Sequence, residues 1–200
     1  DIAIGRIVAR NIHHGSLIAS RIVTYEWLLD GQWENHFIES GLWGFDELRT
    51  ILTNMGFAPP MHPTEAELNT LNQLEVSAVL HKDHSNCVVL GNAFDTSTPV
   101  LLAPSVISSQ GCSVAGTDLT GPTEPTVVSH LLHQGGIAFV GATRNSIAEN
   151  TLIHVAFWNH LLAGQPLGHA FRKGISDLMV HWLDENRSAG LRYSIDIEML

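Results

Sequence analysis

Two cysteines and twelve histidines are the side chains of this 200-residue sequence best suited to covalent and proton-transfer chemistry. One pairing stands out by position. His84 falls in LHKDHSN, directly after the apolar run VSAVLH at residues 76 to 81, and Cys112 falls in SSQGCSVAG, directly after a second apolar run ending at Ile107. A thiolate is a strong nucleophile, and a nearby imidazole can raise the thiolate fraction and later protonate a leaving amine. Gly111 and Gly116 flank the cysteine and permit a tight turn with close substrate approach. The chemistry such a pair supports is acyl transfer through a thioester. His81 also lies close to His84, but it belongs to the strand, so His84 is the base candidate. Cys87, three residues beyond His84, could pair with Cys112 and block the nucleophile, although a small buried hydrophobe is the commoner role for a cysteine. His130 with His133, and His154 with His160, share two helical stretches without an HExxH pattern or a carboxylate partner, so no zinc site is expected.

These residues must be positioned by the elements around them. Asp1 to Ala9 reads as a strand and His14 to Leu29 as an amphipathic helix. HFIES at residues 36 to 40 is a short strand, and Phe45 to Met55 a helix stopped by Gly56. A capping box, Thr64 with Glu67, opens a helix running to Gln73. Residues 76 to 81, 99 to 107 and 136 to 143 are apolar runs suited to buried strands. Helices are expected at about 125 to 134, 147 to 162 and 166 to 185, with a last strand in RYSIDIEM. Strands alternating with helices imply an α/β fold, a mostly parallel sheet covered on both faces. In such sheets the site lies beyond the carboxyl ends of the strands, which is where both His84 and Cys112 fall.

Composition bounds the rest. An apolar fraction of 44% and a charged fraction of 15% describe an ordinary globular chain able to bury a core as one domain, residues 1 to 200. A formal charge of −10 argues against a nucleic-acid partner, whose phosphates need a basic stripe, and suits solubility or cationic substrates. No segment approaches the roughly 18–20 apolar residues of a membrane helix. The opening DIAIGRIVAR has no basic-then-apolar leader and reads as a strand cut from a longer chain.

The ordered set of motifs resembles the catalytic region of gingipain-type cysteine peptidases. DIAIGRIVARNIHHGSLIASRIVTYE is similar to the strand and helix that open that region, and LHKDHSN to its Gly-His-Gly turn. GCSVAG is similar to its Ala-Cys-x-x-Gly turn, GGIAFVGATRNS to its Gly-x-Ile-Ala strand and Ser/Thr-rich turn, and AGQPLGHAF to its Gly-x-Pro-x-Gly helix. The likeness runs over about residues 1 to 175. It implies a caspase-like three-layer α/β/α sandwich and peptide-bond hydrolysis with Cys112 as nucleophile and His84 as its partner. It also implies an oxyanion hole from the backbone amides of Ser85 and Cys112, and Glu39 as the group orienting the histidine. Cleavage after basic residues is a family expectation, with Asp46, Glu47 and Thr143 as pocket candidates. No cofactor is required; calcium as a structural ion, a secreted or cell-surface location, and an upstream subdomain or partner chain are implied by the resemblance alone, beside a protein or peptide substrate. Departures are plain as well: Asp83 and Ser85 stand where the family usually has glycines, and Ser129 where it usually has glutamate. They leave a catalytically degenerate binding or scaffold module as one alternative and a caspase-like transpeptidase as another.

Overall fold

A computed structural model describes residue 9 and residues 11–24, 35–70, 73–99, 101–121, 124–146, 150–184 and 197–199. The strand expected at Asp1 to Ala9 lies outside them apart from its last residue. Five strands form the central sheet: β1 (Phe37–Ser40), β3 (Ala78–Lys82), β8 (Val106–Gln110), β9 (Ala138–Ala142) and β10 (Ile197–Met199), in the order β1-β3-β8-β9-β10. The first four run parallel, and β10 closes one edge antiparallel to β9. β1, β3, β8 and β9 are buried at nearly every position; β3 and β9 therefore read as mostly apolar runs, while β1 and β8 also bury polar residues, Glu39, Ser40, Ser108, Ser109 and Gln110.

Successive side chains of each strand feed two separate cores. Ile38, Val79, Ile107 and Phe139 pack with α1 (Ile12–Thr24), α3 (Glu65–Thr70) and α4 (Val127–Gln134) through Ile18, Leu68 and Leu131. Phe37, Leu80, Val106 and Val140 pack with α2 (Asp46–Asn54), α5 (Thr151–Leu162) and α6 (Leu167–Asp184) through Leu48, Phe157 and Trp182. The result is a three-layer α/β/α sandwich with a mostly parallel sheet. Among the described residues no helix is long and apolar enough to cross a membrane.

Local chemistry sets the element ends. The box at Thr64 forms, its backbone N–H donating to Glu67 Oε2 at 2.7 Å while Glu67 N–H donates to Thr64 Oγ1 at 3.2 Å. A second box, Thr126 with Ser129, opens α4. Arg21 on α1 donates to the carbonyls of Leu132 and Val-rich α4's next residue, His133, at 2.8 Å each, satisfying acceptors at the end of that helix. Two expectations change. The run at residues 99 to 107 is not one strand: β7 (Leu101–Leu102) pairs away from the main sheet with β2 (Gln73–Leu74), and β8 begins only at Val106. Pro104, lacking an N–H, separates them, and Ser105 turns its hydroxyl onto the carbonyls of Val76 and Ala103 at 2.6 and 2.7 Å. The segment after His84, for which the sequence predicts no element, folds into a small antiparallel sheet of β4 (Ser85–Asn86), β5 (Val89–Leu90) and β6 (Phe94–Asp95). Strands of two residues are too short for any periodicity to reveal. Asn86 Oδ1, accepting from the N–H groups of Val88 and Val89, makes its first turn.

Candidate active site

The register of β3 against β8 is what brings the chemistry together. Ala78 pairs with Val106 and each step keeps that offset to Lys82 with Gln110. His84 and Cys112 each lie two residues further on, so parallel pairing delivers both to the same end of neighbouring strands. They line one cleft of about 660 Å³, with Trp43, Asp46, Lys82 and Ser146 among its other walls. This is the carboxyl edge of the sheet, where open α/β folds place their sites.

The two loops touch directly behind the pair. A side chain at Gly111 would stand 2.5 Å from Ser85 Oγ and 2.6 Å from its Cβ, so only glycine allows the cysteine turn to rest on the histidine turn. Ser85 Oγ also donates to Asp83 O at 3.3 Å and accepts from Gly91 N–H at 3.2 Å, fixing the hydroxyl behind the cleft rather than in it. Asp83, buried, accepts from His84 N–H at 2.6 Å and from Leu42 N–H at 3.2 Å, which ties the histidine turn to the loop after β1. His84 itself is exposed, with its ring against Trp43 in a T-shaped contact at 5.0 Å.

Cys112 is half-buried, and its sulfur sits between the two backbone groups of Ser146. The Ser146 N–H donates to Sγ at 3.4 Å, and the thiol faces the Ser146 carbonyl at 3.8 Å. The following residue, Ser113, has φ +56°, a left-handed conformation that costs a non-glycine residue about 1 kcal/mol and is tolerated where the surroundings impose it. Those surroundings are visible: Ser113 N–H donates to Arg144 O at 2.6 Å and Ala115 N–H to Ala142 O at 2.9 Å, stitching the cysteine turn to the end of β9. Both cysteines are free thiols, Cys87 on the β4–β5 turn with its carbonyl accepting from Val127 N–H at 2.8 Å.

The remaining candidates fall in different places. Glu39 is buried at the end of β1, but its carboxylate accepts from Arg49 Nε and Nη2 at 2.7 and 2.8 Å and from Phe45 N–H at 2.5 Å. Burial pushes this carboxyl up; the Arg49 and Phe45 hydrogen bonds outweigh it and hold the group below its ordinary value. Among the described residues the carboxylate has no hydrogen bond to His84; it anchors α2 to β1. Asp46 lines the cleft, exposed and ion-paired with Arg49 at 3.0 Å. Glu47, exposed on the first turn of α2, is not among the cleft's walls, nor is Thr143, whose carbonyl closes over Gly116. Among the described residues no three His, Cys, Asp or Glu side chains gather in a way that could hold a metal ion.

Two histidines serve the sheet instead. His81 Nδ1 bonds Ser109 Oγ at 2.9 Å on one face of the sheet, and His154 Nδ1 bonds Ser108 Oγ at 2.6 Å on the other. Burial, opposed by Asp83, pushes His81 down to about 4; burial and then the Lys82 charge push His154 down to about 3. Lys82 is a cleft residue that sequence reasoning passed over, and Trp43, read there only as a core or interface anchor like the other tryptophans, is an exposed wall of the cleft. Lys82 carried a signal, a lone cation at the end of a buried apolar strand.

No family model matches the sequence, and no curated protein matches it. A solved structure described as "Structure of Protease" is similar in fold, with a TM-score of 0.70 and 12% sequence identity over 98% of this chain and 54% of that one. The chain therefore spans about half the length of the protease structure it resembles. At 12% identity the likeness is one of architecture: this chain shares the α/β/α sandwich of a protease structure.

Proposed function

We propose that this chain is a cysteine endopeptidase of the gingipain type, with Cys112 and His84 as its catalytic pair. The observation that supports it most is the parallel register of β3 and β8, which carries both residues to one cleft. The fold shared with a protease structure is consistent with this, and the motif order resembles the family.

In this reading the Cys112 thiol gives its proton to His84, and Sγ attacks the carbonyl carbon of the scissile peptide bond. The resulting oxyanion takes hydrogen bonds from backbone N–H groups, those of Cys112 and Ser85 being the candidates. The C–N bond breaks as His84 passes the proton to the leaving amine, leaving a thioester on Cys112. Water then loses a proton to His84 and adds to the thioester, releasing the acid and restoring the thiol. Ser146 N–H, already directed at the sulfur, positions the nucleophile between the two steps. Secretion, a structural calcium ion and an upstream subdomain belong to the same proposal.

One observation favours a degenerate module: Asp83 and Ser85 occupy positions that are usually glycine, and the Ser85 hydroxyl is held inside the turn. A peptidyl chloromethylketone separates the two. An active pair is alkylated once, at Cys112, and Cys112→Ala abolishes labelling and peptide cleavage together. A wild type that cleaves nothing and takes no label is a scaffold. An added amine nucleophile that diverts the thioester into an amide identifies a transpeptidase instead.

A further inference from the structure

We infer that this cleft selects substrates with an acidic side chain on the residue that supplies the cleaved carbonyl, held by the Lys82 ammonium. The inference rests on the reading of Cys112 and His84 as the catalytic pair and adds the substrate class. Three fixed charges line the cleft: Asp46, Lys82 and Asp83. Both carboxylates are already satisfied. Asp83 accepts two backbone N–H groups, and Asp46 pairs with Arg49. Lys82 has no carboxylate partner among the described residues.

Its surroundings make that significant. Lys82 is half-buried at the end of β3, paired in register with Gln110, directly below the strand ends that carry His84 and Cys112. Nζ donates to Thr151 Oγ1 at 3.3 Å and lies 5.3 Å from the centroid of the buried Phe45 ring. An ammonium has three donors, and a hydroxyl and a ring face leave room for an anion. The adjacent His154 is buried, and burial first and the Lys82 charge second push its proton affinity down, while the neighbouring Asp83 turns its carboxylate onto the backbone N–H groups of His84 and Leu42. A substrate carboxylate entering the cleft would form a charge-assisted hydrogen bond with the half-buried ammonium. A basic side chain would meet Lys82 as a like charge, and the carboxylates expected to receive it are Asp46, already paired, and Glu47, outside the cleft.

The test uses fluorogenic peptides identical except at that residue, carrying Glu, Asp, Gln, Asn, Lys or Arg. Wild type should show kcat/KM for Glu or Asp about 10–100-fold above Gln or Asn, the worth of a hydrogen bond to a charged group. Lys82→Met should level the four, Lys82→Arg should keep most of the preference, and Lys82→Glu should move it to Lys and Arg. A wild type that prefers Lys or Arg, or an acidic preference that survives in Lys82→Met, overturns the inference while leaving the peptidase reading intact. A second measurement is independent of turnover: calorimetric binding of the uncleaved Glu and Gln peptides to Cys112→Ala. Tighter binding of the Glu peptide by at least about tenfold, lost in the Cys112→Ala, Lys82→Met double variant, supports the assignment even if the chain proves not to be a peptidase. Equal affinity for the two peptides overturns it.

Discussion

His84 and Glu39 show how differently two site candidates can end. The His84 ring is exposed, rests on Trp43 and has no hydrogen-bond partner among the described residues, as suits a base that must meet a proton in the cleft. Its replacement by alanine should lower the acylation rate by about 10²–10⁴, the usual contribution of a general acid–base group, while His81→Ala should leave the alkylation chemistry of Cys112 standing. Glu39 is tied to Arg49 and to the start of α2 instead. Glu39→Gln should therefore cost about 1–3 kcal/mol in urea unfolding, because it removes a buried acceptor of charged hydrogen bonds. The pH profile of alkylation should stay where it is. A profile that moves in Glu39→Gln would return this residue to the role of orienting the histidine. The sequence shows a glutamate at a strand end. Its fate depended on Arg49, ten residues away across a loop whose path no periodicity reveals.

At the scale of elements, β3 and β9 were readable because their burial makes them apolar runs, whereas β8 was only half readable, since Ser108, Ser109 and Gln110 are buried polar residues. What could not be read was adjacency. Between β3 and β8 lie four two-residue strands and the irregular chain that joins them, and only the observed ladder, Lys82 opposite Gln110, puts the two turns side by side. The same holds for the hydroxyl–histidine pairs at Ser108 and Ser109, whose members are far apart in sequence. The closeness of the two turns can be tested at Gly111. Gly111→Ala drives a methyl group into Ser85 and should lower kcat/KM by about 10²-fold, as small misplacements of reacting groups do, with little change in overall stability. Ser85→Gly in the same chain removes the two nearest atoms, leaving only the Asp83 carbonyl at 3.0 Å, and should restore much of that loss. A double variant no better than Gly111→Ala would mean the turns are not positioned through this contact.

For the whole molecule, the two cores and the three layers follow from strand and helix patterning, and the −10 chain carries in its cleft one lysine, Lys82, that has no carboxylate partner among the described residues. Folding stability should carry the signature of two of the buried histidines, His81 and His154. His81 and His154 have folded values of about 4 and about 3 against 6.5 for the free side chain. Protons therefore bind the unfolded chain first, so this stability is complete above about pH 6.5 and is lost as pH falls through 6.5 toward 4 and below. For His81 alone the gap from 6.5 to about 4 corresponds to on the order of 3 kcal/mol. The urea midpoint should drop by roughly 1–2 M between pH 7 and 4.5, and a His81→Gln, His154→Gln double variant should flatten that slope. An unchanged slope would mean that the two rings already take up protons in the folded protein.

The central claim is that Cys112, activated beside His84, is a nucleophile. Its most direct test is intact and peptide-level mass spectrometry of the wild-type chain after limiting exposure to a peptidyl chloromethylketone with Glu or Asp at its reactive end. The account predicts a single adduct, located at Cys112, absent from Cys112→Ala and formed at least about 10²-fold more slowly by His84→Ala. An adduct at Cys87 instead, or labelling of Cys112 at the same rate without His84, would contradict it.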